Sequence, residues 1–85
     1  MNLYLISQNV NTDYDTYDSA VVAAPDVETA RDMNPRGGKP VNWAKTREWR
    51  SGVWASKRED VKVVLIGEAT DGTEQGVICA SLNAG

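Results

Sequence analysis

The chain has 85 residues, a net charge of −3, no histidine and a single cysteine, Cys79. This length fits one small domain, and a lone cysteine excludes an internal disulfide framework. No apolar run approaches the roughly 20 residues that a membrane-spanning helix needs. The N-terminus lacks the basic start of a secretion signal, so we expect a cytosolic protein.

The first part of the chain predicts two strands separated by a polar loop. Residues 3–7 are apolar and include an aromatic side chain, which is typical of a strand. Residues 8–18 are rich in Asn and Asp and favour a loop. Residues 19–24 are small or β-branched and predict a second strand, over which the following element packs closely.

A short helix is predicted next. Asp26 can cap the free N–H groups of its first turn. Val27, Ala30 and Met33 recur at three-residue spacing and give one narrow apolar stripe. Pro35 ends the helix, because the residue before a proline avoids the helical conformation. Two turns are too short to be stable alone, so this helix must lie on the sheet.

The next segment has no clear periodicity. Residues 36–41 contain two glycines and a proline and predict a flexible turn. For residues 42–56 the sequence leaves a short helix and an irregular loop open. Ser56 and Glu59 resemble a one-turn capping box.

The last part of the chain predicts two more strands. Apolar residues run through 60–69, and residues 76–82 read as a returning strand after a turn at Asp71-Gly72. The sequence therefore predicts a single α+β domain over residues 1–85, in the order β-β-α-insert-β-β. About four antiparallel strands would carry one short helix on one face, and the insert would span about residues 34–58.

Charge is segregated along the chain. Residues 1–35 carry six acids and one base, residues 36–58 carry seven bases and one acid, and residues 59–85 carry five acids and one base. All three tryptophans lie in the basic segment, and all three tyrosines lie in the first acidic one. This separation indicates two candidate contact surfaces.

The residue inventory argues against an enzyme. Without histidine there is no general base that titrates near neutral pH. Cys79 falls in an apolar strand, where cysteine is more often a packing residue than a nucleophile. The chain lacks a Cys/His ligand set for zinc and a phosphate-binding glycine motif, so we expect no metal and no cofactor.

The acidic loop allows three interpretations. Oxygen side chains alternate from Asn9 to Asp15 as they do at the start of a calcium loop, but Tyr14 and Ala20 occupy the positions of the required glycine and glutamate. An Asx-rich turn that caps its own backbone is the simpler interpretation. Alternatively, the carboxylates mimic the phosphates of nucleic acid and bind a basic groove of a partner protein, with tyrosines lying between them.

The basic, tryptophan-bearing segment also has two interpretations. Arg and Trp dominate the energetics of protein interfaces, and indole rings stack on bases while Arg and Lys neutralise phosphates. In the alternative, the tryptophans cover the sheet and the basic groups pair with the acidic flanks. The overall negative charge weakens the case for direct DNA binding.

Two segments, 14–24 (YDTYDSAVVAA) and 76–85 (GVICASLNAG), resemble stretches in small, uncharacterised proteins of tailed bacteriophages. The resemblance implies a phage accessory protein in the cytoplasm of a bacterial host. By analogy of size and setting, it implies a protein that binds and blocks a host complex, as anti-CRISPR proteins with compact sheet-plus-helix folds do.

Three functions remain open from the sequence. The first is a non-enzymatic phage protein that engages and blocks a host protein or nucleoprotein complex. The second is a nucleic-acid-binding accessory protein, and the third is an oligomeric structural or virion component working through open sheet edges. The candidate partner-binding residues are Arg47, Trp49, Arg50, Trp54, Asp13, Tyr14, Asp15 and Tyr17.

Overall fold

The computed structural model describes residues 1–12, 15–46 and 53–83. The described elements, in chain order, are strands β1 (Asn2–Ser7) and β2 (Thr16–Ala24), helices α1 (Val27–Arg31) and α2 (Trp43–Thr46), a 3₁₀ turn (Arg58–Asp60), and strands β3 (Lys62–Glu68) and β4 (Gly76–Asn83). This confirms the predicted α+β class, with a four-stranded antiparallel sheet and a short helix after the second strand.

The sheet order is β3-β1-β2-β4. The hairpin formed by β1 and β2 is central, with Tyr4 opposite Val22 and Ile6 opposite Ala20. Strand β3 pairs with the outer side of β1, and β4 with the outer side of β2.

The predicted hairpin at the end of the chain is wrong. The Asp71-Gly72 turn is present, with Gly72 in the left-handed conformation (φ 87°), but the strands on its two sides do not pair. Residues 69–75 instead pass from one edge of the sheet to the other. The preference of Asp71-Gly72 for a hairpin is outweighed here because β1 and β2 each have an unpaired side. By pairing with these sides, β3 and β4 each gain a ladder of backbone hydrogen bonds.

One face of the sheet forms the core. Successive residues of a strand point to opposite faces, so Tyr4 and Ile6 of β1 share a face with Val22 of β2. All three are buried and belong to one apolar cluster. Leu3 and Leu5, on the opposite face, are only half-buried. The helical segments therefore lie against one face.

Helix α1 packs on β2, as the small residues of that strand predicted. Ala24 and Ala30 are fully buried in the same cluster, which allows the backbones to approach closely. The helix is shorter than predicted. Met33 lies beyond its end in an isolated bridge with Pro40, yet its side chain is buried in the core. Val27, the first member of the predicted stripe, is exposed.

Asp26 caps α1, as predicted. Its Oδ1 accepts a hydrogen bond of 2.7 Å from the backbone N–H of Thr29. Because this bond favours the ionised carboxylate, the pKa of Asp26 lies below its usual value.

This cap predicts a pH dependence of stability. A carboxyl group with a lowered pKa in the folded state stabilises the fold above its unfolded pKa of about 3.9, and the contribution is lost as pH falls through the folded value. We expect Asp26→Asn, which caps without titrating, to melt at a lower temperature than the wild type at pH 6. The gap should close towards pH 2 in melts followed by circular dichroism. Asp71→Asn, the same change in an exposed turn, is the control; an Asp26→Asn gap independent of pH would contradict the prediction.

The segment after α1 is a turn closed by hydrogen bonds. The N–H of Gly38 donates to the carbonyl oxygen of Asn34 at 2.8 Å, and the N–H of Asn34 donates to that of Lys39 at 2.9 Å. Gly37 and Gly38 both have left-handed backbones (φ 90° and 78°), which glycine adopts without steric cost. The turn predicted at residues 36–41 is thus present.

Asp32 joins the later segments to α1. Its Oδ1 accepts hydrogen bonds from Trp43 Nε1 at 2.9 Å and from Arg58 Nε at 2.6 Å. Arg58 also pairs with Glu28, and the two carboxylates raise its pKa. One basic residue of the insert therefore pairs with the acidic flank. The 3₁₀ turn follows Lys57 with no side-chain capping bond, so the predicted Ser56–Glu59 capping box is not its start.

Candidate binding cleft

A shallow cleft lies where the acidic loop, the insert and the last strand meet. It measures about 270 Å³ and is lined by Asp15, Tyr17, Arg36, Val53 and Leu82. Tyr17 of β2 lies opposite Leu82 of β4 in the sheet, which places the cleft at the end of this strand pair. The cleft combines apolar walls with one acidic and one basic group.

Gln8 fixes the loop that leads towards the cleft. This side chain is only 4% exposed, and its amide forms four hydrogen bonds with the backbone. Nε2 donates to the carbonyl oxygens of Asn11 (2.7 Å) and Tyr17 (2.8 Å). Oε1 accepts from the N–H groups of Val10 (3.0 Å) and Asn11 (2.8 Å). The loop is thereby tied to the start of β2.

The insert returns to the fold at the same place. The backbone N–H of Tyr17 donates to the carbonyl oxygen of Val53 at 2.7 Å. Asn11 Nδ2 donates to the carbonyl oxygen of Trp54 at 3.1 Å. The indole ring of Trp54 is 3% exposed and lies in the core cluster. These contacts hold the acidic loop and the insert side by side.

The predicted binding residues fall into two groups. Asp13, Tyr14, Arg47, Trp49 and Arg50 lie outside the described residues. Asp15, Tyr17 and Trp54 are described.

The three described residues have different positions. Asp15 is exposed and has a left-handed backbone (φ 62°), a conformation that Asp tolerates better than most residues. Tyr17 is half-buried and forms one wall of the cleft. Trp54 does not have the exposed position expected of an anchor, because its ring fills the core on the helical side of the sheet.

Chain connectivity relates the undescribed candidates to the cleft. Residues 13–14 join the described chain at Asp15, and residues 47–52 join it at Val53. Both junction residues line the cleft. The sequence left open whether the acidic loop or the basic insert is the contact surface, and the cleft borders both.

Sequence reasoning missed four residues of this site. Gln8 follows Tyr4 and Ile6 at two-residue spacing, which places all three side chains on the same face of the strand. This spacing could have predicted that Gln8 is buried. Leu82 is apolar and lies near the end of a predicted strand, which is a weaker indication that it belongs to a site. Nothing in the local pattern indicated that Arg36 and Val53 would face the same cleft, since their meeting depends on tertiary packing.

The cleft is small and open to solvent. Pockets that enclose a drug-sized ligand span roughly 300–1,000 Å³, and this one is smaller and open. Within the described residues, no group of three or more His, Cys, Asp or Glu side chains could hold a metal ion. Cys79 is exposed, which corrects the expectation of a packing role. No helix in the described part is long and apolar enough to cross a membrane.

Searches against protein-family models, curated proteins and solved structures find no match for this chain.

Proposed function

We propose that this chain is a phage-encoded, non-enzymatic binding protein that engages and blocks a host protein or nucleoprotein complex. The cleft between the acidic loop, the insert and β4 is its contact site. The observation that carries the proposal is the convergence of both charged segments on one cleft, whose walls include Asp15 and Arg36. The phage setting comes from the resemblance of residues 14–24 and 76–85.

The cleft would take a single side chain of a protein partner. Tyr17, Val53 and Leu82 offer apolar contact, while Asp15 and Arg36 add charges of both signs. Interfaces of this kind depend on a few central anchors surrounded by polar groups. The arginines and Trp49 of residues 47–50 would extend the contact on the insert side.

Affinity capture from a bacterial lysate, read by quantitative mass spectrometry, tests this proposal. We expect Arg36→Glu, and separately Arg47→Ala with Arg50→Ala, to reduce capture of the main partner at least about tenfold, because a hot-spot loss of 1.4 kcal/mol or more corresponds to that factor. The melting temperature should stay unchanged. Lys62→Glu makes the same charge change on β3 and serves as the control.

Three outcomes would contradict the proposal. Equal capture by the wild type, Arg36→Glu and the double variant would remove this surface. Recovery of nucleic acid alone, with affinity falling steeply as salt rises, would favour a nucleic-acid-binding accessory protein. Turnover of a substrate by the purified chain, lost on changing one polar side chain, would make it an enzyme.

A further inference from the structure

The cleft contains two opposite charges that do not pair with each other. Asp15 and Arg36 both line it, and both residues are exposed. Within residues 1–12, 15–46 and 53–83, no ion pair joins either of them to another side chain. The cleft therefore offers a partner one carboxylate and one guanidinium, each available for a group of the opposite charge.

The backbone that carries each charge is fixed relative to the sheet. The turn with Arg36 lies against β4, since a Cβ atom at Gly38 would stand 3.5 Å from the Val77 side chain. On the other side, Asp15 directly precedes Thr16, the first residue of β2, which is only 3% exposed. A partner thus meets charges in preset backbone positions, which reduces the entropy that binding must remove.

An occupant with charge of a single sign fits this cleft poorly. A phosphate or a carboxylate alone would pair with Arg36 but bring a like charge into the cleft of Asp15. An ammonium group alone would have the opposite defect. Covering the cleft removes water from both charges, and a buried charge without a partner weakens binding strongly. An occupant with charges of both signs avoids this cost at both residues.

We propose that the cleft binds a segment of the partner protein in which an acidic and a basic residue accompany an apolar one. The acid pairs with Arg36, whose planar guanidinium binds a carboxylate through two parallel hydrogen bonds, and the base pairs with Asp15. The apolar side chain contacts Tyr17, Val53 and Leu82. This proposal rests on the proposed function, because it specifies the partner of the same cleft.

The volume of the cleft limits what enters it. At about 270 Å³ it is smaller than the pockets of roughly 300–1,000 Å³ that enclose a drug-sized ligand. One apolar side chain therefore fills the cleft, and the two charged side chains of the partner contact its borders. Nucleic acid is disfavoured as the occupant, since its backbone presents charge of one sign only.

Selection from a displayed library of random peptides tests this specificity without knowledge of the partner. Arg36→Gln and Asp15→Asn each remove one charge at nearly constant size, and asparagine tolerates the left-handed backbone at this position (φ 62°). Lys62→Gln and Asp71→Asn make the same changes at exposed positions outside the cleft and are the matched controls. We expect the wild type and both controls to enrich peptides in which an acid and a base accompany an apolar residue. Arg36→Gln should lose the enrichment of acids, and Asp15→Asn that of bases.

Fluorescence anisotropy with the most enriched peptide gives a second readout. Changing its acid to the corresponding amide should weaken binding to the wild type about tenfold and leave binding to Arg36→Gln unchanged, because the charge pair is already broken in that variant. Replacing its base by an uncharged residue should act in the same way with Asp15→Asn. Thermal melts check the fold of each variant.

Enriched peptides with charge of one sign only, or equal weakening in the wild type and the matching variant, would overturn the proposed specificity. Absence of any enrichment that depends on Asp15 and Arg36 would overturn it as well. If capture from lysate still depends on Arg36 in that case, the proposed function stands and only the nature of the bound segment is wrong. If capture is also independent of Arg36, both proposals fail.

Discussion

Trp54→Ala is expected to lower the free energy of unfolding by about 3–5 kcal/mol, the usual effect of truncating a buried aromatic residue. The ring is 3% exposed and lies in the core cluster with Ile6 and Met33. Native proteins have a free energy of unfolding on the order of 5–15 kcal/mol, so this variant of an 85-residue chain loses a large part of its stability.

Trp54→Phe separates loss of packing from loss of the indole N–H. No acceptor for Trp54 Nε1 is found among the described residues, so removing this buried N–H group has no hydrogen bond to break. We expect a cost of about 1–2 kcal/mol for the smaller ring. Urea unfolding followed by far-UV circular dichroism measures both variants. Ile78→Ala, at a 54% exposed position, should differ from the wild type by less than about 0.5 kcal/mol.

This experiment also decides the role of Trp54 in binding. If Trp54→Ala retains wild-type stability and loses the partner, the residue is a surface anchor and the core position is wrong. If Trp54→Phe keeps both the fold and the partner, the ring acts through packing alone.

Gln8→Leu is expected to destabilise the fold by about 2–4 kcal/mol. The change leaves four backbone groups without their partner in partly buried positions, and each such group costs about 1–3 kcal/mol when it finds no water. Rearrangement of the loop at residues 9–12 recovers part of that cost. Leucine has nearly the same size as glutamine, so packing changes little.

Gln8→Glu refines the prediction. The carboxylate keeps both acceptor bonds, from Val10 and Asn11, but cannot donate to the two carbonyl oxygens. At neutral pH it should still destabilise the fold, because a charge is buried next to carbonyl oxygens. Gln75→Leu makes the Leu change at an exposed position and is the control for urea titrations. A Gln8→Leu midpoint equal to that of Gln75→Leu would show that the four bonds add nothing.

Much of the fold was predictable from local pattern. The apolar runs located all four strands, and Asp26 marked the start of α1, but the helix ends at Arg31, before the predicted stop at Pro35. Helix capping and the alternation of side chains along a strand involve residues that are close in the sequence, so the sequence alone reveals them. The small residues of β2 also correctly indicated close packing by α1.

Strand order was not predictable in the same way. Asp71-Gly72 is a strong hairpin signal, yet the flanking strands lie at opposite edges of the sheet. Strand β1 pairs with β3, for example at Asn2 and Glu68, because β3 satisfies the open side of β1 in the β1–β2 hairpin. Which strand takes each open side depends on segments far apart in the chain, so a short stretch of sequence does not reveal it. The cleft was not predictable for the same reason, since Arg36 and Val53 are far apart in the sequence and meet only in the folded chain.

Trp54 and Gln8 show why residue type misled the site prediction. A tryptophan among basic residues resembles an interface anchor, but a chain without phenylalanine has few other large rings for its core. Glutamine at a strand end resembles a loop residue, but a buried amide can satisfy four backbone groups at once.

The central position of β1 and β2 has a consequence for synthesis on the ribosome. The two strands made first form the middle of the sheet, whereas β3 begins only after residues 25–61 have been translated and β4 only after residues 25–75. Both sides of the nascent hairpin stay open to foreign strands during that interval, and the long separation between β1 and β3 slows closure. The strand translated last, β4, is also the one that leaves an uncharged edge on the finished domain.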